Sequence, residues 1–345
     1  MKTKKKRKNK NVTTFKNPTI NKFLTSTNLD INNKYVNICK NNIPHILVNN
    51  ECIRFDNEYA KHILRQNIKN LNIVNCNNII APKQLLGNCW FNTLFMNIFI
   101  SDGGRKFTKF FRQLMIDGKD ASGNIIPKNL HIAFFKLNRG IDACLNSGNI
   151  QLYHNDMKLF NTNHIIKDIY HIIKNKHIPD LNDAGNPIDY FITLLSYLNN
   201  KSVNILRLRD YLFNKNNWIS VLTYYFKKLS NKPNIIILEL YDTEKSKFLK
   251  KKAKYLDFKK FKYKLDSSII LDKSKEHFCS NITCNKKEYK FDGASLSGIN
   301  EFKWKHLINK DHDWGFKYPN KNAQYRDLKW NYKDSYQILF YYRIK

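Results

Sequence analysis

Apolar residues recur at helical spacing over about residues 79–200, then give way to short continuous apolar runs. Tyr59 to Ile68 fits one helix. After Cys89, the residues Phe91, Leu94, Phe95, Ile98 and Phe99 fall on one face of another. Ser101-Asp102-Gly103-Gly104 reads as its end, with the glycines as stop signals. A further helix carries Phe107, Phe110, Phe111, Leu114 and Met115 on one side, and Asp117 to Asn124 reads as a loop. Residues 127–177 look mostly helical. There His164 and His171 stand a heptad apart beside Ile165, Ile169 and Ile172, a pattern of packing or surface residues without an HExxH or acidic ligand cluster. Asn186-Pro187 opens a helix from Ile188 to Leu198, with proline suited to its first turn.

From about residue 203 the pattern is that of strands. Asn234 to Tyr241 is a β-rich run bounded by Pro233 and Asp242. Glu276–Thr283, Glu288–Leu296 and Tyr336–Ile344 also read as strands. Helices first and strands later predict an α+β fold, with a helical part facing an antiparallel sheet. The main domain is expected at 79–345, helical over 79–200 and mainly β over 203–345. Asn-rich breaks mark 12–78 as an N-terminal extension packed on it, and residues 1–11 form a basic tail. The lysine-rich stretch Lys245–Lys264 reads as a solvated connection, or more sharply as an anion-binding face.

Composition adds bounds. With 345 residues and 42% hydrophobic content, the chain can bury a sizeable core. No apolar run reaches membrane-spanning length and no signal-peptide core is present, so the expected location is intracellular (host cytoplasm or nucleus) or inside a virion, with no membrane partner. Seven scattered cysteines without a CxxC pair predict neither a disulfide framework nor a structural zinc site. No metal and no cofactor is expected. The net charge of +32 favours anionic partners such as nucleic acid. The Lys, Asn and Ile bias of an AT-rich genome would produce the same charge without any such partner. The two coexist in a protein of a large AT-rich virus or an AT-rich parasite. The tail is either a polyanion-binding or nuclear-localisation arm, or a solvated disordered terminus.

The chemistry is concentrated near Cys89. It sits where Gly87-Asn88 meets the start of an apolar helix, with Gln84 five residues upstream. The positive end of a helix favours a thiolate, and backbone N–H groups with a nearby amide can hold an oxyanion. A nucleophile also needs a base and an orienting group. His277 opens a predicted strand and Asp292 lies near the end of the next. A tight turn centred on Cys284-Asn285 would set His277 directly opposite Asp292, near enough to fix the imidazole's tautomer and orientation. His312, between Asp311 and Asp313, is a rival base, or part of a charged loop.

Four segments in this order resemble the ubiquitin-specific protease family of papain-like cysteine peptidases. Leu86-Gly87-Asn88-Cys89-Trp90-Phe91-Asn92-Thr93-Leu94 is similar to its cysteine box, with one residue missing before the cysteine. Asp189 to Leu198 resembles a helix of the family. His277-Phe278 with Tyr289-Lys290-Phe291-Asp292 resembles its histidine and aspartate elements, and Ser335 to Arg343 its terminal strand. The resemblance implies a helical thumb and an antiparallel β palm with the site between them. It implies Cys89 as nucleophile, His277 as general base and acid, Asp292 as orienter and Gln84 in the oxyanion hole. It further implies a deubiquitinase-like peptidase or isopeptidase cleaving after a Gly-Gly-type tail through a Cys89 thioester. Its partners would be conjugates of ubiquitin or a ubiquitin-like protein, or a polyprotein. The chain departs from the family in lacking paired CxxC motifs and in carrying Gly293 after Asp292. It also has a long insertion, 297–334, holding Trp304, His306, Trp314 and Trp330. The basic charge supports a second reading: an inactive relative with a structural or non-specific nucleic-acid-binding role, of the kind packaged in a virion, with the basic tail as its contact.

Overall fold

The computed structural model describes residues 45–48, 51–69, 74–85, 87–145, 160–173, 186–210, 218–241, 251–274 and 277–345. The basic tail 1–11, residues 12–44 and the first part of the lysine-rich stretch lie outside the described residues. The fold is α+β. An eight-stranded sheet runs in the order β3 (Ile205–Arg209), β4 (Ile235–Leu240), β10 (Gln337–Arg343), β6 (Phe261–Leu271), β7 (Phe278–Cys284), β8 (Lys287–Phe291) and β9 (Ile299–Glu301), with β5 (Tyr255–Phe258) also on β6. Among the described residues, β3 and β4 pair in parallel and the other pairings in this sheet are antiparallel.

The continuous apolar runs follow from burial on both faces of the sheet. Ile338, Phe340 and Tyr342 of β10 join a core shared with the helices, while Leu339 and Tyr341 face a second core. The first core holds α2 (Cys89–Phe95, continuing as a π-turn over Met96–Ile100), α4 (Lys109–Asp117), α5 (Lys128–Leu145), α6 (Thr162–Tyr170) and α7 (Pro187–Tyr197), with the short α3 (Asp102–Phe107) between α2 and α4. The second is closed by α8 (Trp218–Lys228) and by Trp304, Trp314, Trp330 and Tyr332. A hairpin of β1 (His45–Val48) and β2 (Glu51–Arg54) and helix α1 (Glu58–Lys69) pack on Ile116 and Phe135 as a third cluster. His164 and His171 are exposed, while Ile165 and Ile169 beside them are buried.

Several expectations need correction. Gly103 and Gly104 do not stop a helix; Ser101 caps the next one by accepting from the Gly104 amide. The glycine at 103 serves packing, since a Cβ there would lie 2.3 Å from the Tyr342 ring. The lysine-rich stretch is not simply a solvated connection: its described part forms the β5–β6 hairpin, and Lys252 is buried, its Nζ donating to the Tyr332 carbonyl and the Gln337 side chain. The run predicted over Glu288–Leu296 stops pairing at Phe291, where Asp292 to Leu296 turn. A disulfide joins Cys76 to Cys284, against the expectation of none. Its cysteines are 208 residues apart with Cα atoms 5.7 Å apart, a proximity created by the fold and invisible in spacing.

Candidate active site

Helix α2 presents Cys89 as its first residue. Asn88 makes no side-chain cap. Instead its amide donates to Thr162 Oγ1 at 2.5 Å, and Thr162 donates on to Asn92 Oδ1 at 2.8 Å. The cap position is thereby locked to α6, and no side-chain acceptor occupies the first-turn amides. Trp90 stacks on Tyr190 of α7 with centroids 3.9 Å apart, fixing the depth of α2. The Cys89 thiol is buried, at 6% exposure.

His277 and Asp292 come from the ends of β7 and β8, but not by the predicted register. The turn is centred on Asn285-Lys286, both with positive φ (47° and 66°), as a two-residue type I′ hairpin turn requires. Cys284 therefore pairs with Lys287 and Ser280 with Phe291. The turn lies one residue later than predicted, which shifts each partner by two and keeps every side chain on its face. His277 and Asp292 become diagonal neighbours, still within reach. His277 Nε2 lies 2.9 Å from Asp292 Oδ1.

The Cys89 side chain acts on the same imidazole and, with Asp292, favours its protonated form. With Nε2 turned to Asp292, Nδ1 is the nitrogen left for the sulfur. Burial works to lower the pKa of His277, but the bonds to Asp292 and Cys89 and their charges outweigh it and push it up to about 10. The main chain of His277 is clamped as well. Its amide donates to Asp272 Oδ1 at 2.6 Å, and its carbonyl accepts from Trp330 Nε1 at 3.3 Å.

Gln84 lies beside this group. Its amide N–H donates to the Gly293 carbonyl at 3.0 Å, tying its strand to the turn after Asp292. A Cβ on residue 293 would sit 2.9 Å from that amide nitrogen, a close approach that calls for glycine. Gln84 Nε2 meets the Tyr325 hydroxyl at 3.5 Å, a long contact that a better acceptor could replace. His312 is exposed and outside the group. Its neighbours Asp311 and Asp313 accept from Asn331 and from Lys333 and Lys273.

Sequence reasoning missed the insertion's part in the site. Tyr318 donates to Asp292 Oδ2 at 2.6 Å, Tyr325 stacks on the His277 ring at 4.8 Å, and Trp330 packs edge-on at 6.0 Å. The clustering of aromatic residues in 297–334 was the one signal that this segment packs against something. Among the described residues no group of His, Cys, Asp and Glu could hold a metal ion, and no helix is long and apolar enough to cross a membrane.

No protein-family model matches the chain, and no curated protein matches it. Solved structures resembling it include the SAGA DUB module Ubp8/Sgf11/Sus1/Sgf73 bound to monoubiquitin, at 9% identity and TM-score 0.44 over 78% of this chain and 70% of that one. The same module bound to ubiquitin aldehyde matches at 8% identity and TM-score 0.42, over 78% and 70% of the two chains. An essential yeast splicing factor matches at 11% identity and TM-score 0.43 over the same shares. A likeness of this strength assigns no function to the chain.

Proposed function

We propose that this protein is a thiol-dependent hydrolase of the peptidase or isopeptidase type, with Cys89 as nucleophile, His277 as general base and acid, and Asp292 as orienter. The observation that carries this reading is the buried His277–Asp292 pair, whose imidazole also interacts with Cys89 at the start of a helix. A buried histidine with a carboxylate on one nitrogen and a cysteine on the other is the arrangement that activates a sulfur nucleophile.

In this mechanism the Cys89 proton passes to His277 Nδ1 and the sulfur attacks a carbonyl carbon. The oxyanion forms near the first-turn amides of α2 and Gln84 Nε2, which exchanges the Tyr325 hydroxyl for the developing charge. His277 returns the proton to the leaving amine, the C–N bond breaks, and a thioester remains. Water, deprotonated by the same imidazole, releases the acid and restores the thiol. Asp292 holds Nε2–H, so that Nδ1 is the nitrogen that takes the Cys89 proton and stabilises the thiolate as an imidazolium partner.

The four segments resembling ubiquitin-specific proteases support a deubiquitinase-like substrate: a ubiquitin-type conjugate cleaved after its Gly-Gly tail. A ubiquitin carrying a C-terminal electrophile tests both levels. The intact protein is expected to form a covalent adduct that Cys89→Ala abolishes while the melting temperature holds. An adduct that persists in the variant sinks the assignment of Cys89. A protein that reacts with small electrophiles at Cys89 but never with ubiquitin keeps the thiol chemistry and loses the substrate.

A further inference from the structure

We propose that Tyr318 is a positioning residue for the Cys89–His277–Asp292 group, its hydroxyl holding the Asp292 carboxylate in the plane that turns Oδ1 to His277 Nε2. The proposal rests on the thiol-hydrolase reading above, and it gives the 297–334 segment a part in the reaction.

The carboxylate's bonds carry the argument. Asp292 Oδ1 accepts two donors, His277 Nε2 at 2.9 Å and the Ala294 amide at 2.9 Å. Oδ2 accepts from the Tyr318 hydroxyl at 2.6 Å, the short distance of a hydroxyl donating to an ionised acceptor. Asp292 is 1% exposed, so water is a poor substitute. Without the hydroxyl the carboxylate is free to rotate about Cβ–Cγ in search of a second donor, and Oδ1 leaves the imidazole.

Tyr318 is itself fixed. It is 7% exposed, and its ring packs against Phe316 at 6.4 Å and Tyr325 at 5.6 Å. The Leu296 amide donates to the Lys317 carbonyl at 2.9 Å, joining the segment to the turn that carries Asp292. Burial and the charge of Asp292 push the Tyr318 hydroxyl well above its ordinary pKa, so it stays a donor across any working pH. Tyr325 and Trp330, from the same segment, hold the ring and carbonyl of His277. Both members of the base pair are thus braced by an element outside the four matched motifs.

Chloroacetate provides a test that does not depend on ubiquitin. Thiolate displaces chloride, and the anion is drawn to an imidazolium, so alkylation of Cys89 rises as the thiolate forms and falls as His277 loses its proton. Besides Cys89 and Asp292, the titratable and charged groups around the pair are Tyr318, Tyr325, Asp272 on the His277 amide, Cys279, which senses the Asp292 charge, and Lys290 near Cys279. Tyr318→Phe keeps the ring and removes the hydroxyl. It is expected to slow alkylation at neutral pH by about ten- to a hundredfold and to move the alkaline limb to lower pH, with the melting temperature within a few degrees of the parent. Unmoved limbs, or an alkaline limb moved upward, overturn the proposal. Asp292→Asn supplies the second variant should Y318F fold poorly: it is expected to lower the same limb, and adding Y318F to it should change nothing further, because Tyr318 acts through Asp292. An additive shift in the double variant overturns the proposal equally. A parent protein whose Cys89 shows a single ordinary thiol titration, with no bell, instead refutes the hydrolase reading itself.

Discussion

Two buried ionic groups lie on the sheet, and they are built on opposite plans. On β4, the Glu239 carboxylate is fully enclosed by donors. Arg207 reaches it at 2.6 Å, Arg209 at 3.2 Å, and Asn186, Tyr241 and Tyr336 each at 2.7 Å. Arg207 also pairs with Asp189. At the ends of β7 and β8, Asp292 is equally enclosed, but the donor it holds is an imidazole that also interacts with the Cys89 thiol. A closed group can only hold elements together. In the present case these are the cap of α7, strands β3 and β4, and the residue before β10. An open one can move a proton. The contrast separates structure from chemistry better than burial does, since Glu239, His277 and Asp292 are each 1% exposed or less.

The comparison breaks first if the Glu239 group is not structural. Glu239→Ala leaves two arginines facing an empty buried site and is expected to cost about 3–5 kcal/mol of stability. Urea unfolding measures this, and C89 alkylation in the folded variant should be close to the parent's. A loss below about 1 kcal/mol would mean the cluster is no more than a surface-type ion pair.

The next test concerns the open group. Gln84→Ala removes a proposed oxyanion donor and is expected to lower turnover by roughly 10²–10³ with stability nearly unchanged. Turnover is followed with a ubiquitin-type substrate, or with whichever acyl substrate the protein accepts. A variant with full activity would leave the oxyanion to the amides of α2 alone. Equal losses of stability and rate would place the Gln84 side chain in the architecture through its contact with Tyr325.

These two regions were not equally legible in the sequence. Cys89, His277, Asp292 and Gln84 carry local signals: a Gly-Asn turn before an apolar helix, and two strands joined by a short connection. The helices at 58–69 and 187–197 and the strands at 235–240 and 337–343 were similarly plain, because periodicity and Pro or Asn caps are local. The hairpin register was misplaced because Asn285-Lys286 lacks the glycine that usually marks a type I′ turn. Glu239 gave no sign of its five donors, which come from residues 186 to 336. Tyr318 and the Cys76–Cys284 bond were hidden for the same reason: each joins residues far apart in the chain, and nothing in local composition reports such a meeting.

The test that compares the two groups most directly is the sign of their pH dependence. Burial opposes the charge on Glu239, yet Arg207 and then the hydroxyls of Tyr241 and Tyr336 hold its pKa down at about 2. A carboxyl depressed by folding adds stability above its unfolded pKa of about 4.5, and this is lost as pH falls through about 2. His277 is raised to about 10, so its pairing adds stability fully below about 6.5 and loses it as pH rises through about 10. The stability gap between the parent and Glu239→Gln should therefore close toward acid, and the gap to Asp292→Asn should close toward alkali, each by about 1 kcal/mol per pH unit inside its window. Urea midpoints measured from pH 2 to 10 would show this. Gaps that close on the same side would mean that the imidazole is neutral in the folded protein. Cys89 would then have no imidazolium partner, and the open group would be as purely structural as the closed one.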